Sequence, residues 1–551
     1  MAGTTGREGP LTWYQEAVWW SQYWNPPDET YPPMADVWYL PERPTAEAVR
    51  AVFAELAARH EVLRTSLPLG EDGLPHQRLH APGAAPMPLR SVPLGELRAD
   101  VAGVLGGFRR PGAGDPDGPR WRAVLGVKEG RVPAVAFAGD RSVMDGGAVA
   151  GLRHQFLAAL RGRCGVPPEA GALLQPLARA DHERSAAGRA KADAALGRLA
   201  DVFGRAPGPL FTGPPAPPGS PRYVEASTRS PDLAARAAQA ARIHRVTLPS
   251  IVLAAFASVL ALRTGRSGVP IRSLCANRTT AAERASVLGL YQPAYLVLDL
   301  SGDPVMADVV RRTWRESLSA YAHSEYPPDE FRETVVRAAR GRGFVPEFQL
   351  DYDFLPAPGA ATARPPAGRA PGNAEPPVEH RGSDQGRPDY ALFQARMLGE
   401  ELMLALDADT ALVPRAEIDR LLSWTVRALF LLADASAGAM RCGEFGAAIG
   451  LEPKAAEGPQ APPVPSIGAV ADPAAERALR EAFLTAHGGV GDVDLRDDYV
   501  AAGGRLRKVP RTVRALAGHG FGGLRAEHVE TPVSLRTVAA SLRREPCEAG
   551  R

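Results

Sequence analysis

The chain has 551 residues, which at about 100–200 residues per domain implies roughly three structural units rather than one compact body. Hydrophobic residues make up 45% and charged residues 23%, proportions that exclude wholesale disorder or a fibrous repeat. Lysine and arginine number 64 against 62 acidic residues, a balance without the basic footprint of a nucleic-acid binder.

Met1–Pro10 are small and polar and read as a tail. Gly3-Thr4-Thr5-Gly6 followed by Glu8 and Gly9 has the look of a phosphate loop, but it lacks the lysine and the preceding strand that such a loop needs. Thr12 is the expected N-cap of a helix reaching Trp24, whose six aromatics (Trp13, Tyr14, Trp19, Trp20, Tyr23, Trp24) are suited to packing in a core or an interface. An amphipathic helix is expected over 45–60, with Val49, Val52, Phe53 and Leu56 on one face, followed by Arg59 to Thr65 leading into an extended segment. Residues 121–127 and 132–138 read as buried strands. The second runs into a loop, Gly139 to Gly146, and then a helix at about 147–161, a succession that puts loop side chains at the rim of a cleft.

Glycine (56) and proline (53) together form about a fifth of the chain, and their clusters mark connections. Residues 205–221 read as a crossover, with a strand restarting over Tyr223–Thr228. Two helices follow within 232–263, the second (Leu248–Leu262) apolar all round and therefore buried. Strands are expected near 269–275, 294–300, 346–354 and 389–407, a long loop over 356–388, and a helix over 415–434. Residues 437–472, with Gly458-Pro459-Gln460-Ala461-Pro462-Pro463, have the composition of a linker. The last piece, 473–545, carries helical stretches at 473–487, 507–518 and 534–544, as in a small bundle.

Cys164, Cys275, Cys442 and Cys547 are scattered, with no CxxC pair and no metal-type spacing to histidine, so a zinc site is not expected. The start of the chain lacks a basic segment followed by an apolar one, and no run reaches the roughly 18 apolar residues that would cross a bilayer. A cytoplasmic protein with free thiols and no membrane partner is the expectation.

Several segments, taken in order, resemble the condensation domain of nonribosomal peptide synthetases over roughly 11–436. They are Leu11-Thr12 with Gln15, Arg59 to Thr65, Gly139 to Gly146 at the place of the active-site motif, Ala276-Asn277-Arg278, Leu288-Gly289-Leu290-Tyr291, and Ala320 to Phe331. The resemblance implies an α/β fold of two chloramphenicol-acetyltransferase-like lobes in a V-shaped pseudo-dimer, here 11–204 and 222–436, with a reaction tunnel between them. In that family an amine attacks a carrier-bound acyl thioester and an amide results.

The family motif is His-His-x-x-x-Asp-Gly. Here Asp140 and Arg141 stand at the two histidine positions, Asp145 and Gly146 are kept, and Pro293 replaces a usual asparagine. Arginine cannot serve as a base near neutrality, but it can donate to an oxyanion, a carboxylate or a phosphate. Alternation along a strand end separates the two side chains. Family geometry points the second toward the tunnel, so Arg141 is the candidate tunnel residue and Asp140 the more structural of the pair. Asp145 matches the family aspartate that pairs with a lobe-bridging arginine, for which Arg278 is the candidate. His323, His154 and Cys275 are possible replacement bases, His323 first, against the plainer reading of packed or surface residues. Asp140 and Asp145 also fit the Asp-x-x-x-x-Asp spacing of heterocyclization domains, although Ala148 stands where that pattern has serine.

Residues 473–545 resemble a peptidyl carrier domain through Asp497-Asp498-Tyr499-Val500, Gly503-Gly504 and Thr531-Pro532-Val533. The family attaches phosphopantetheine to the serine of Gly-Gly-Asp-Ser-Leu. Here the order is Gly503-Gly504-Arg505-Leu506-Arg507, and Leu506 has no oxygen to carry the arm. The resemblance therefore implies no cofactor of its own and a separate holo carrier protein as partner, its phosphopantetheine being the substrate arm. The bundle would be a docking or structural module. Two functions stay open: an amide-forming enzyme of antibiotic or other natural-product assembly, with an amine acceptor such as a soluble amino sugar, and an inactive scaffold that binds carrier proteins. Heterocyclization is a minor third. No adenylation unit is seen, so ATP and magnesium are not expected.

Overall fold

The computed structural model describes residues 6–24, 33–70, 73–84, 87–97, 118–162, 173–211, 219–355, 372, 374–383, 391–453, 471–489 and 493–545. Cys164, Cys547 and the Gly3-Thr4-Thr5 part of the loop-like stretch lie outside the described residues.

The N-terminal lobe is built on a four-stranded sheet, β2 (Met34–Tyr39), β7 (Arg131–Gly139), β6 (Trp121–Lys128) and β5 (Leu89–Pro93), in that spatial order. β7 is antiparallel to both neighbours, while β5 runs parallel to β6. The helices Ala46–Arg59 and Gly146–Leu160 pack on one face and close a core in which Trp38, Phe53, Trp121 and Phe137 stack and Phe156 leans tilted against Phe53. The polar tail expected at the start is in part a strand. β1 (Arg7–Gly9) pairs with β4 (Gln77–Leu79), which also pairs with β3 (Thr65–Ser66), and Glu8 is held by Arg78 at 2.6 Å.

The C-terminal lobe carries a seven-stranded sheet in the order β10 (Gln292–Asp299), β9 (Gly268–Cys275), β11 (Leu350–Leu355), β13 (Ala391–Leu398), β14 (Glu401–Asp409), β8 (Tyr223–Ser230), β12 (Glu379–Ser383). β11 runs parallel to both neighbours and the other pairings are antiparallel. The helix expected to be apolar all round runs Leu248–Thr264, and every residue from Ser250 to Ala261 is buried. Around it pack Pro231–His244, Met306–Ala322 and Arg415–Leu432. No single described helix is long and apolar enough to cross a membrane.

Three boundaries differ from the sequence reading. Residues Ala186–Arg205, counted with the N-terminal lobe, form a helix whose Ala195, Leu199, Val202 and Phe203 pack on Tyr295 and Val297 of the C-terminal sheet. The expected linker begins later than 437. Cys442–Ala448 is helical, and Cys442, Phe445, Ile449 and Leu451 belong to the C-terminal core, because each of these apolar residues removes more surface from water there than a linker would. β12 lies within the stretch expected as loop.

The last unit is a bundle of Pro473–His487, Val509–Gly518 and Leu535–Ser541 around Leu479, Phe483, Tyr499 and Leu506. Its core is continuous with Leu11, Trp19 and Trp20, with Tyr23 and Trp24 packed against it, so these four aromatics of the first helix serve as the surface that receives it.

Candidate functional site

The first helix, Trp13–Trp24, opens with a reciprocal cap. Thr12 Oγ1 accepts the Gln15 N–H at 3.2 Å, and Gln15 Oε1 accepts the Thr12 N–H at 2.8 Å, which satisfies two amides that a helix start leaves unpaired. This fixes Tyr14, the second residue of the helix. Its hydroxyl lies 2.6 Å from the Arg141 carbonyl and 3.1 Å from the Met144 carbonyl, and burial raises its pKa well above the ordinary phenol value, so it stays a donor. The ring lies so close to Gly289 that a Cβ there would fall 1.9 Å from Cε1. Only glycine fits.

Asp145 caps the Gly146–Leu160 helix, with Oδ1 accepting the Ala148 N–H at 2.7 Å. The same oxygen takes Arg278 Nη2 at 2.7 Å, and Oδ2 accepts the N–H groups of Leu290 (2.8 Å) and Tyr291 (3.1 Å). Arg278 also donates from Nη1 to the carbonyls of Glu283 and Ser286 and from Nη2 to that of Leu288, and Gly147 leaves room for it, since a Cβ would meet Nε at 2.7 Å. The structure thus brings together Asp145 and Arg278, paired in the sequence reading, across the seam between the lobes. It also shows what Leu288-Gly289-Leu290-Tyr291 does: the Gly289 N–H donates to the Val143 carbonyl at 2.9 Å, while the flanking residues supply the remaining contacts to Arg278 and Asp145.

Asp140, grouped with Arg141 as a catalytic candidate, is fully buried and ion-paired with Arg120 Nη2. Its Oδ1 accepts the Ser142 N–H at 2.8 Å. A carboxylate caged in this way shapes the loop and is not presented to a substrate. Arg141 is half-buried and lines neither a cavity of about 620 Å³ at the junction with the bundle nor one of about 250 Å³ in the N-terminal lobe.

The three possible replacement bases are engaged or turned outward. His323 Nδ1 lies 2.7 Å from the Ser319 carbonyl of its own helix. His154 is exposed. The Cys275 thiol donates to Asn277 Oδ1 at 3.2 Å, and burial pushes its pKa up, away from thiolate.

Sequence reasoning missed the second tie across the seam. Arg179, buried, is paired with Glu183 at 2.8 Å in its own helix and with Glu325 of the other lobe at 2.6 Å. The i,i+4 spacing of Arg179 and Glu183 was a visible signal, but Glu325 lies 146 residues away. His60 is another tie. Its Nε2 lies 2.7 Å from Gln155 Oε1, and Gln155 Nε2 donates to the Ala285 carbonyl at 3.0 Å.

The bundle is fixed to the C-terminal lobe by charge-assisted hydrogen bonds. Arg340 makes a bidentate contact with Asp498, both distances 2.7 Å, Glu530 joins Arg332 at 3.1 Å and also accepts from Trp20 Nε1, and Glu333 meets Arg505 at 2.8 Å. Leu506 is fully buried, so residues 503–507 do not fit attachment of a phosphopantetheine arm.

No family model matches the chain. The malpinin synthetase of Mortierella alpina is 30% identical over 122 residues, 22% of this chain but 2% of the relative, so the match spans a small fraction of that protein's length. Solved structures give broader coverage. The condensation domain of the monacolin K polyketide synthase MokA superposes with a TM-score of 0.59 at 17% identity, covering 79% of this chain and 99% of its own. The condensation domain that mediates chain release from the enacyloxin polyketide synthase gives 0.56 at 20%, covering 79% and 84%. The teicoplanin X-domain, solved in complex with OxyB, gives 0.56 at 20%, covering 81% and 97%. The fold of this chain is that of condensation domains.

Proposed function

We propose that the protein is an amide-forming condensation enzyme of natural-product assembly. It takes an aminoacyl thioester from a separate holo carrier protein and passes it to a soluble amine. The observation that carries this reading is the Asp145 clamp, which holds the Arg141 loop at the lobe seam although both motif histidines are replaced. In the reaction the amine nitrogen attacks the thioester carbonyl, the C–N bond forms, the C–S bond breaks, and the departing thiolate takes the proton that the nitrogen loses. Arg141 would donate to the oxyanion formed on the way. A thioester is already activated, so orientation can supply much of the acceleration, and a missing general base withholds about 10²–10⁴-fold rather than all of it.

A second reading, a scaffold that binds carrier or tailoring proteins, is favoured by the caged Asp140. The neighbour solved with OxyB is an example of this fold engaging a partner protein. Heterocyclization through Asp140 gains no support, because that carboxylate is held by Arg120.

The test supplies aminoacyl-loaded carrier protein with a set of amines and follows amide product by mass spectrometry, for wild type and Arg141→Ala. Product lost in the variant supports the enzyme. Product unchanged removes Arg141 from the mechanism. No product from any pair, with the carrier retained on the protein, supports the scaffold.

A further inference from the structure

The bundle touches both lobes, and it holds each by different physics. Toward the N-terminal lobe the contact is apolar. Leu11, Trp19 and Trp20 share the bundle's core with Leu479, Phe483 and Leu516, and Leu67 and Leu74 pack against it. The first helix is in turn tied to that lobe: Gln15 Nε2 donates to Gln77 Oε1 at 3.2 Å, and Tyr14 reaches the carbonyls of Arg141 and Met144. Toward the C-terminal lobe the contact is ionic and falls on a single helix, Pro328–Arg342, whose Arg332, Glu333 and Arg340 meet Glu530, Arg505 and Asp498.

One carboxylate joins the two sides. Glu530 Oε1 accepts from Trp20 Nε1 of the first helix and from Arg332 Nε of the C-terminal lobe, the latter at 3.1 Å, and the Arg332 guanidinium lies over the Trp20 ring at 5.5 Å. Both lobes thus end on the same oxygen of the bundle.

The two holds differ in what loosens them. Salt does not weaken apolar burial. It does weaken ion pairs that water reaches, since the screening length falls from about 10 Å at 0.1 M to about 3 Å at 1 M. The Arg340 and Arg505 side chains are 41% and 58% exposed. The ties across the seam itself, Asp145 to Arg278 and Arg179 to Glu325, are buried and escape most of that screening.

We propose that the bundle is a strap across the two lobes, hinged on the first helix by aromatic packing and latched to the Pro328–Arg342 helix by ion pairs. Unlatching makes openings of the seam more frequent while the hinge stays shut. Such a strap would act in an enzyme and in a scaffold alike.

Hydrogen exchange of the full chain, read by mass spectrometry, tests this at about 0.1 M and about 1 M sodium chloride, and in Arg340→Ala/Glu530→Gln at the lower salt. Four segments are compared: 503–508, where Glu333 holds the Leu506 amide; 288–291, where Asp145 holds the amides of Leu290 and Tyr291 across the seam; the hinge, 13–24; and the buried helix 248–264 as the reference. Both high salt and the variant are expected to speed exchange about tenfold in 503–508 and roughly threefold in 288–291, leaving 13–24 and 248–264 unchanged. Acceleration of 13–24 together with 503–508 would show the bundle detaching as a whole. An unmoved 288–291 would make it a passenger on the lobes, and an unmoved 503–508 would mean that the ion pairs do not latch it. Each of these overturns the proposal. A variant that also accelerates 248–264 is destabilised throughout, and the wild-type salt comparison then decides on the same readouts.

Discussion

Glu333 of the C-terminal lobe grips Leu506 of the bundle. Its Oε1 accepts the Leu506 backbone N–H at 3.1 Å while Oε2 takes Arg505 Nη1 at 2.8 Å. Both residues are buried, at 1% and 0% exposure. The position that the resemblance to a carrier domain matches to its serine is therefore turned into the lobe, and introducing a hydroxyl there should not permit loading. Leu506→Ser, incubated with coenzyme A and a broad-specificity phosphopantetheinyl transferase, is expected to keep its mass. Adding Glu333→Ala, which strands the Leu506 amide and releases Arg505, is expected to cost about 1–3 kcal/mol and to let the mass increment appear. Full loading of Leu506→Ser alone would show that the bundle leaves the lobe readily.

Asp145 and Arg278 are both nearly buried, with 9% and 12% of their side chains exposed. Removing one partner leaves an uncompensated charge, a loss of about 3–5 kcal/mol. Asp145→Ala also loses the helix cap and the acceptor of two backbone amides, so it should be the more damaging of the two single variants in urea denaturation. The double variant should lose less than the sum of the singles. Strict additivity would mean that the clamp does not act as a unit.

The Asp140–Arg120 pair bears on attempts to install in this chain the His-His-x-x-x-Asp-Gly pattern of the resemblance. Changing Asp140 and Arg141 both to histidine leaves Arg120 buried without its carboxylate. That double variant is expected to lose about 3–5 kcal/mol and to gain no activity for lack of a stable loop, whereas Arg141→His alone, which keeps the Asp140–Arg120 pair, should lose less. Thermal melts of the two side by side check this. Equal melting temperatures would show that Arg120 tolerates the loss.

What the sequence made legible follows from the range over which its signals act. The Thr12 cap, the strands around 121–139 and the apolar Leu248–Thr264 helix rest on local spacing, and the structure has all three. The clamp was visible only through ordered motif segments, since Asp145 and Arg278 are 133 positions apart. Arg120 escaped notice because nothing in its neighbourhood marks it as the counter-ion of residue 140. The packing of Ala186–Arg205 on the other lobe escaped too, because an amphipathic helix shows that it has an apolar face without saying which sheet covers it. The six aromatics of the first helix were readable as packing residues, but the partner of four of them (Trp19, Trp20, Tyr23 and Trp24), the bundle, begins more than 400 positions later.

His60 gives the seam a pH dependence. Burial holds its pKa down from 6.5 to about 4, although the hydrogen bond to Gln155 acts the other way. The unfolded chain therefore binds a proton near pH 6.5 that the folded one resists until about pH 4. Folding gains its full benefit above 6.5 and loses it as the pH falls toward 4. With His60 only 2% exposed, the loss over that window is on the order of 3 kcal/mol. Carboxylates titrate in the same range, so the measurement is a difference. Urea stability is followed from pH 7.5 to 4.5 for wild type and for His60→Gln, which can still donate to Gln155. The variant is expected to be less stable at pH 7.5 through imperfect packing, but to fall more gently with acid, so that the gap narrows or reverses below pH 5. Parallel curves would mean that His60 titrates normally and that the seam is open to water at that point.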